Sequence, residues 1–268
     1  MSTVENLHAQ GDPLPGMPGV LRGKVAIITG ASRGIGATAA HAFAEAGATV
    51  VLAARDEQTL AKLAQDIRAT GGQALAVPTD SGDPPAVERL VQRTLDAYGR
   101  LDVAFNNASE GHMPTPLADI AIDDFDQAVR GTLRGIFLSM KYEIPAMLAG
   151  GGGAIVNMSS TAGLRGVPGI AGYVAAKHGV IGLTETAVLD YAARHIRVNA
   201  LAPGTIATHR LAGLTGEARE QFQRTIPMQR FGLPEEVAAL AVWLCSDQAS
   251  FITGATFTID GGKLAGGA

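Results

Sequence analysis

Tyr173 and Lys177 stand four residues apart in Tyr173-Val174-Ala175-Ala176-Lys177. In a helix that spacing puts both side chains on one face. A free tyrosine titrates at about 10, too high for an efficient base at neutral pH. An ammonium beside it favours the phenolate and lowers that value. Such a pair can give a proton to a carbonyl oxygen during reduction, or take one from an alcohol during oxidation. Tyr-x-x-x-Lys is common on helical surfaces, so its neighbours carry the argument. Thirteen residues before Tyr173, the run Val156-Asn157-Met158-Ser159-Ser160 closes an apolar strand. A serine hydroxyl at a strand's carboxyl end can hydrogen-bond a substrate oxygen and steady developing charge. Ser160 is the candidate.

A second constellation could hold phosphates. Thr29-Gly30-Ala31-Ser32-Arg33-Gly34-Ile35-Gly36 follows an apolar strand and opens a helix. Glycines let the backbone turn tightly and approach a pyrophosphate. The helix N-terminus adds unpaired N–H groups and partial positive charge. The spacing is G-x-x-x-G-x-G rather than G-x-G-x-x-G, and its place between strand and helix is what gives it weight. The next strand ends Val51-Leu52-Ala53-Ala54-Arg55. An acid at such an end binds the ribose hydroxyls of NAD, whereas an arginine suits the extra phosphate of NADP. Ala54 stands in the acid's place, Arg55 follows, and Arg33 could reach the same phosphate. Asp56 is read as the cap of the following helix. NADP(H) is therefore expected ahead of NAD(H); solvated surface charges are the alternative reading of the arginines. Asn199-Ala200-Leu201-Ala202-Pro203-Gly204-Thr205-Ile206-Ala207-Thr208 closes the sixth strand, where it would hold the nicotinamide.

These groups need elements to position them. Strands are predicted at Val25–Thr29, Thr49–Ala53, Ala74–Val77, Val103–Phe105, Ala154–Met158, Arg197–Ala200 and Thr256–Ile259. Helical periodicity runs near 35–46, 57–69, 84–98, 123–148, 173–193 and 235–246. The alternation implies an α/β fold: a Rossmann-like doubly wound parallel sheet of about seven strands, flanked by helices, with ligands at the carboxyl ends of the strands. Residues 1–20, rich in Pro and Gly, are expected to form a flexible tail, and 21–268 a single dinucleotide-binding catalytic domain. Gly150–Gly153 reads as a flexible helix-to-strand connection.

Composition narrows the class. Hydrophobic residues make up 47% of the 268 and charged residues 17%, a balance that supports a large core. A net charge of −4, without a Lys/Arg run, argues against a general nucleic-acid binder. A single cysteine, Cys245, cannot form an internal disulfide, which fits a cytoplasmic protein. No 18-residue apolar run and no secretory signal are seen, so no membrane partner is expected. His41, His178 and His195 lack metal-ligand spacing and no metal is expected. His112, in the loop after the fourth strand, is a possible substrate contact. Trp243 and Cys245 belong to an apolar helix and read as core or subunit interface.

Taken together, the motifs resemble the short-chain dehydrogenase/reductase family in its compact single-domain form, over about residues 21–262. The resemblance implies that Gly30, Gly34 and Gly36, with Ser32, Arg33 and Ile35 between them, form the pyrophosphate turn. Asp80, with Ser81, would contact adenine. Asn107 and Ala108, in Asn106-Asn107-Ala108, would support the cofactor. Ser160, Tyr173 and Lys177 match the catalytic serine, tyrosine and lysine, with Tyr173 and Lys177 also touching the cofactor. Pro203, Gly204, Ile206 and Thr208 match the nicotinamide-binding stretch, and Asp260-Gly261-Gly262 the usual ending. The family also implies a homotetramer, and Ile136, Leu138, Met140, Val180, Ile181, Leu183 and Val188 exceed what one sheet-facing stripe needs.

Two positions depart from the pattern. Ser109 replaces the last glycine of Asn-Asn-Ala-Gly. Thr132 stands where the family keeps a fourth catalytic asparagine that supports a water chain to the lysine. Its hydroxyl is expected to hold the relay water, unless it turns back to a backbone carbonyl one turn earlier. The expected activity is hydride transfer between NADP(H) and a carbonyl or secondary alcohol, as in a carbonyl reductase. The alternative is a dinucleotide-binding scaffold or sensor with little turnover. Segments 109–118, 161–172 and 205–230 hold Met113, Leu164, Val167, Ile206, Leu211 and Phe222, which suggest an apolar substrate pocket.

Overall fold

The structure, a computed structural model, describes residues 17, 19–211 and 213–266. Most of the expected tail, residues 1–16 and 18, lies outside the described residues. Met17 and Val20 pack against the core.

Seven parallel strands form one sheet in the order β3-β2-β1-β4-β5-β6-β7. They are β1 (Val25–Thr29), β2 (Thr49–Ala54), β3 (Gln73–Pro78), β4 (Val103–Asn106), β5 (Gly153–Met158), β6 (Ile196–Pro203) and β7 (Thr256–Ile259). β1 is buried along its whole length, as expected of a strand covered by helices on both faces. Its sides divide the core. Ala26 and Ile28 face a layer with Phe43, Leu60, Val237 and Val242. Val25 and Ile27 face a layer with Leu90, Ile144, Met147 and Val180. The strand order reverses between β1 and β4, so a crevice opens there at the carboxyl ends, the usual ligand position in such sheets.

The helices are α1 (Gly34–Glu45), α2 (Glu57–Ala69), α3 (Pro84–Tyr98), α4 (Ile122–Ala128), α5 (Gly135–Ala149), α6 (Ala171–Tyr191), α7 (Gly216–Arg224) and α8 (Pro234–Cys245). Two expectations about the helices need correction. The pattern read as one helix over 123–148 is interrupted by a π-helical turn, Val129–Arg134. This wider turn lies against α6, where a Cβ on Gly179 would stand 2.8 Å from Leu133 Cδ1. The second is α7, which was not expected: only Phe222 and a few apolar neighbours mark an otherwise polar stretch.

The glycine run 150–153 is more constrained than a free connector. Gly152 has φ +140°, and a Cβ there would stand 2.5 Å from the His195 carbonyl oxygen. Most of the apolar residues read as interface surplus are part of the chain's own core: Ile136, Leu138, Met140 and Val180 are buried. The large apolar side chains left exposed on these helices are others, Ile122, Phe125, Phe137 and Leu189.

Candidate active site

A cleft of about 640 Å³ runs across the carboxyl ends of the strands. Its first wall is the turn after β1. Gly30 and Gly34 have φ +67° and +54°, left-handed backbone that favours glycine. Gly36 answers a different demand: a Cβ there would collide with the Gly30 carbonyl and stand 2.6 Å from Asn107 Nδ2. Asn107 donates from Nδ2 to the Thr29 and Gly30 carbonyls at 3.1 and 3.3 Å, so the end of β4 buttresses the turn. The Thr29 hydroxyl accepts from the Asn107 and Ala108 N–H groups. Ser32, Arg33, Gly34 and Ile35 line the cleft, while Gly36 sits behind them.

The end of the cleft beside β2 and β3 carries five charges. Arg55, just past β2, pairs with Glu110 at 2.6 Å. Asp80, past β3, pairs with Arg130 at 2.8 Å and accepts the Gly82 N–H at 2.9 Å. Burial pushes the Asp80 carboxyl up, but those hydrogen bonds and the charges of Arg130 and Arg55 outweigh it and hold it below the usual range. Asp56 caps α2, accepting the Thr59 N–H at 3.0 Å and its hydroxyl at 2.7 Å. Ser81 lines the wall beside Asp80.

At the other end, β5 delivers Ser160 and α6 delivers Tyr173 and Lys177, and all three line the cleft. Lys177 is fully buried. Its Nζ donates to the Met158 carbonyl at 2.6 Å and lies 5.4 Å from the Tyr173 ring centroid. Ser160 Oγ accepts the Ala162 N–H at 3.2 Å, starting a tight turn over Thr161–Gly163. That turn presses on α6: a Cβ on Gly163 would stand 2.7 Å from the Lys177 carbonyl oxygen. Ser159 donates its hydroxyl to that carbonyl at 2.9 Å. The stretch after β6 brings Pro203, Gly204, Ile206 and Thr208 to the cleft. Thr208 approaches the glycine turn, 3.4 Å from a Cβ built on Gly34.

Thr132 is buried in the π turn, outside the cleft lining. Its hydroxyl donates to the Glu110 carbonyl at 2.8 Å and accepts the Glu110 N–H at 3.0 Å. The hydroxyl's one proton is therefore committed to Glu110, and not to the carbonyl one turn earlier. His112, a minor candidate for a substrate contact, lies outside the cleft lining. Its Nε2 accepts the Gly172 N–H at 3.2 Å, so the proton sits on Nδ1, 2.9 Å from the Met113 carbonyl. The imidazole tethers the loop after β4 to the first turn of α6. Of the six apolar residues expected to form a substrate pocket, Ile206 and Leu211 line the cleft. Met113 and Leu164 are exposed instead, and Phe222 packs edge-on against Phe231 at 5.8 Å.

Sequence reasoning missed Glu110, Gly131 and His209 among the lining residues. It also missed a buried polar chain beneath the site. Asn106 Nδ2 donates to Glu143 Oε2 at 3.0 Å and to Asn157 Oδ1 at 3.1 Å; Asn157 Nδ2 donates to Thr184 Oγ1 at 3.0 Å. Asn106 Oδ1 is buried without a partner. Burial pushes the Glu143 carboxyl up to about 7, against the hydrogen bond from Asn106. The available signal was a glutamate within the apolar pattern of α5.

The arrangement suits a dinucleotide whose pyrophosphate lies on the glycine turn and whose far end meets Tyr173. Among the described residues no helix is long and apolar enough to cross a membrane. The family model described as Enoyl-(Acyl carrier protein) reductase matches residues 30–263. An A-factor type γ-butyrolactone 1′-reductase (1S-forming) from Streptomyces virginiae is 44% identical, covering 91% of this chain and 96% of its own. A cyclohexanol dehydrogenase from an Acinetobacter species is 41% identical, covering 89% and 94%. A crystal structure of a short-chain type dehydrogenase/reductase from Mycobacterium marinum superposes with a TM-score of 0.87 at 33% identity, covering 92% of this chain and 97% of that one. With the sheet order, the glycine turn and these likenesses in hand, the chain belongs to the short-chain dehydrogenase/reductase family of oxidoreductases.

Proposed function

We propose that the protein moves a hydride between NADP(H) and a carbonyl or secondary alcohol, with Tyr173 transferring the proton. The observation that carries this reading is the buried Lys177 ammonium, 5.4 Å from the Tyr173 ring centroid. A fixed cation there would stabilise negative charge on the phenol oxygen as its proton leaves. Ser160, at the strand end, would hold the substrate oxygen. When bound, the nicotinamide supplies or accepts the hydride. Gly30, Gly34, Asn107 and Ala108 would hold the pyrophosphate side, Asp80 and Ser81 the adenine, and Pro203, Gly204, Ile206 and Thr208 the nicotinamide side. The relative named for cyclohexanol, a secondary alcohol, supports the substrate class.

The NADP(H) preference rests on Arg55 and Arg33, both lining the cleft, and on the capping of α2 by Asp56, which occupies the nearby carboxylate. We read the protein as cytoplasmic and homotetrameric, with exposed Phe125, Phe137 and Leu189 as the apolar surface to be covered. Tyr173→Phe tests the chemistry. It should keep the fold and dinucleotide binding and lower kcat about 10²-fold or more. A near-normal kcat would overturn the assignment. Dinucleotide binding without turnover by the wild type, across a panel of carbonyls and alcohols, would favour the scaffold reading.

A further inference from the structure

Glu110 lies four residues beyond the end of β4, in the wall of the cleft. Three sets of contacts build its position. Its backbone is clamped by Thr132, whose buried hydroxyl accepts its N–H and donates to its carbonyl. Its side chain occupies space that Gly131 leaves open: a Cβ on Gly131 would collide with the carboxylate and stand 2.6 and 2.7 Å from Glu110 Cγ and Cβ. Its Oε1 pairs with Arg55 Nη1 at 2.6 Å. The Arg55 side chain is 62% exposed and that of Glu110 only 18%, so the carboxylate is the fixed member and the guanidinium the free-swinging one. Asp80 also attracts Arg55, but its own hydrogen bond goes to Arg130.

We infer that Glu110 is a specificity-determining residue for the dinucleotide: held by Thr132 and seated on Gly131, it keeps Arg55 across the cleft and competes with a 2′-phosphate for the guanidinium. NADP(H) must break this pair and bring its phosphate close to a fixed negative charge. NAD(H), with a hydroxyl at that position, leaves the pair intact. The carboxylate thus narrows the NADP(H) advantage that Arg55 confers. Thr132 serves this clamp as a positioning residue. The inference rests on the proposed pairing of Arg55 with the 2′-phosphate, and the experiment separates the two.

Equilibrium dissociation constants for NADPH, NADH and the fragment adenosine 2′-monophosphate are measured by calorimetry on wild type, Glu110→Gln, Gly131→Ala and Arg55→Ala. Glu110→Gln keeps the shape and removes the charge. It should tighten NADPH and the fragment about threefold or more relative to NADH, the scale of an exposed ion pair with added relief of like-charge repulsion. Gly131→Ala keeps the charge but displaces the carboxylate, so it should move the ratio the same way, independently of how well Glu110→Gln folds. If Arg55→Ala weakens NADPH selectively while the other two leave the ratio unchanged, the inference is overturned and the Arg55 assignment stands. If Arg55→Ala also leaves the ratio unchanged, both fail.

Discussion

Glu143 offers a stability test with a defined sign. It is buried on α5, where Asn106 donates to it and links it to Asn157. Taking a carboxylate out of water disfavours the charged form, which is why its carboxyl is raised from 4.5 to about 7. In the unfolded chain it ionises above about 4.5. Between those values the unfolded state releases a proton that the folded state retains, so stability falls as pH rises from 4.5 to 7 and levels off above. At 1.36 kcal/mol per pH unit the interval amounts to about 3 kcal/mol. Glu143→Gln has nearly the same shape and cannot ionise. Urea unfolding of both proteins from pH 4 to 8.5 should show the mutant gaining about 3 kcal/mol on wild type over that range. A chain of this size shifts by about 2 °C per kcal/mol, so the melting temperatures should separate by about 6 °C. Parallel curves for the two proteins would show that Glu143 titrates normally and refute the reasoning.

Further tests address the remaining features. Gly36→Ala puts a methyl into the Gly30 carbonyl and should abolish measurable NADPH binding by fluorescence titration; retained affinity would mean the turn is looser than its geometry. Burial raises the Cys245 thiol to about 12, so native protein at pH 8 should resist a thiol reagent and one thiol per chain should appear on unfolding. Rapid native labelling would contradict the buried placement. Light scattering at micromolar concentration should report a tetramer, and a monomer would remove the proposed role of Phe125, Phe137 and Leu189.

Much of the frame was legible in the amino-acid order because its signals are local. The apolar run Val25–Thr29 is a strand buried on both faces and needs no partner to announce itself. Glu57–Ala69 and Pro84–Tyr98 match the predicted helices because their apolar residues recur at helical spacing and a capping Asp56 or an early proline marks the start. The glycine turn and the Tyr173–Lys177 pair are equally short-range: three glycines within seven residues, two side chains one turn apart. Tertiary structure alone decided the rest. The π turn at 129–134 carries no residue-type signature, since a wider turn keeps nearly the same apolar pattern as the helix around it. Thr132 could be placed opposite a family position, but not its hydroxyl, which bonds to a backbone 22 residues away. Arg55 meets Glu110, and Glu143 meets Asn106, only because the sheet order sets β2 and β4 on either side of β1 and lays α5 against β4. Charges and amides far apart in sequence pair through chain packing, and that packing is specified by the whole core rather than by either residue of the pair.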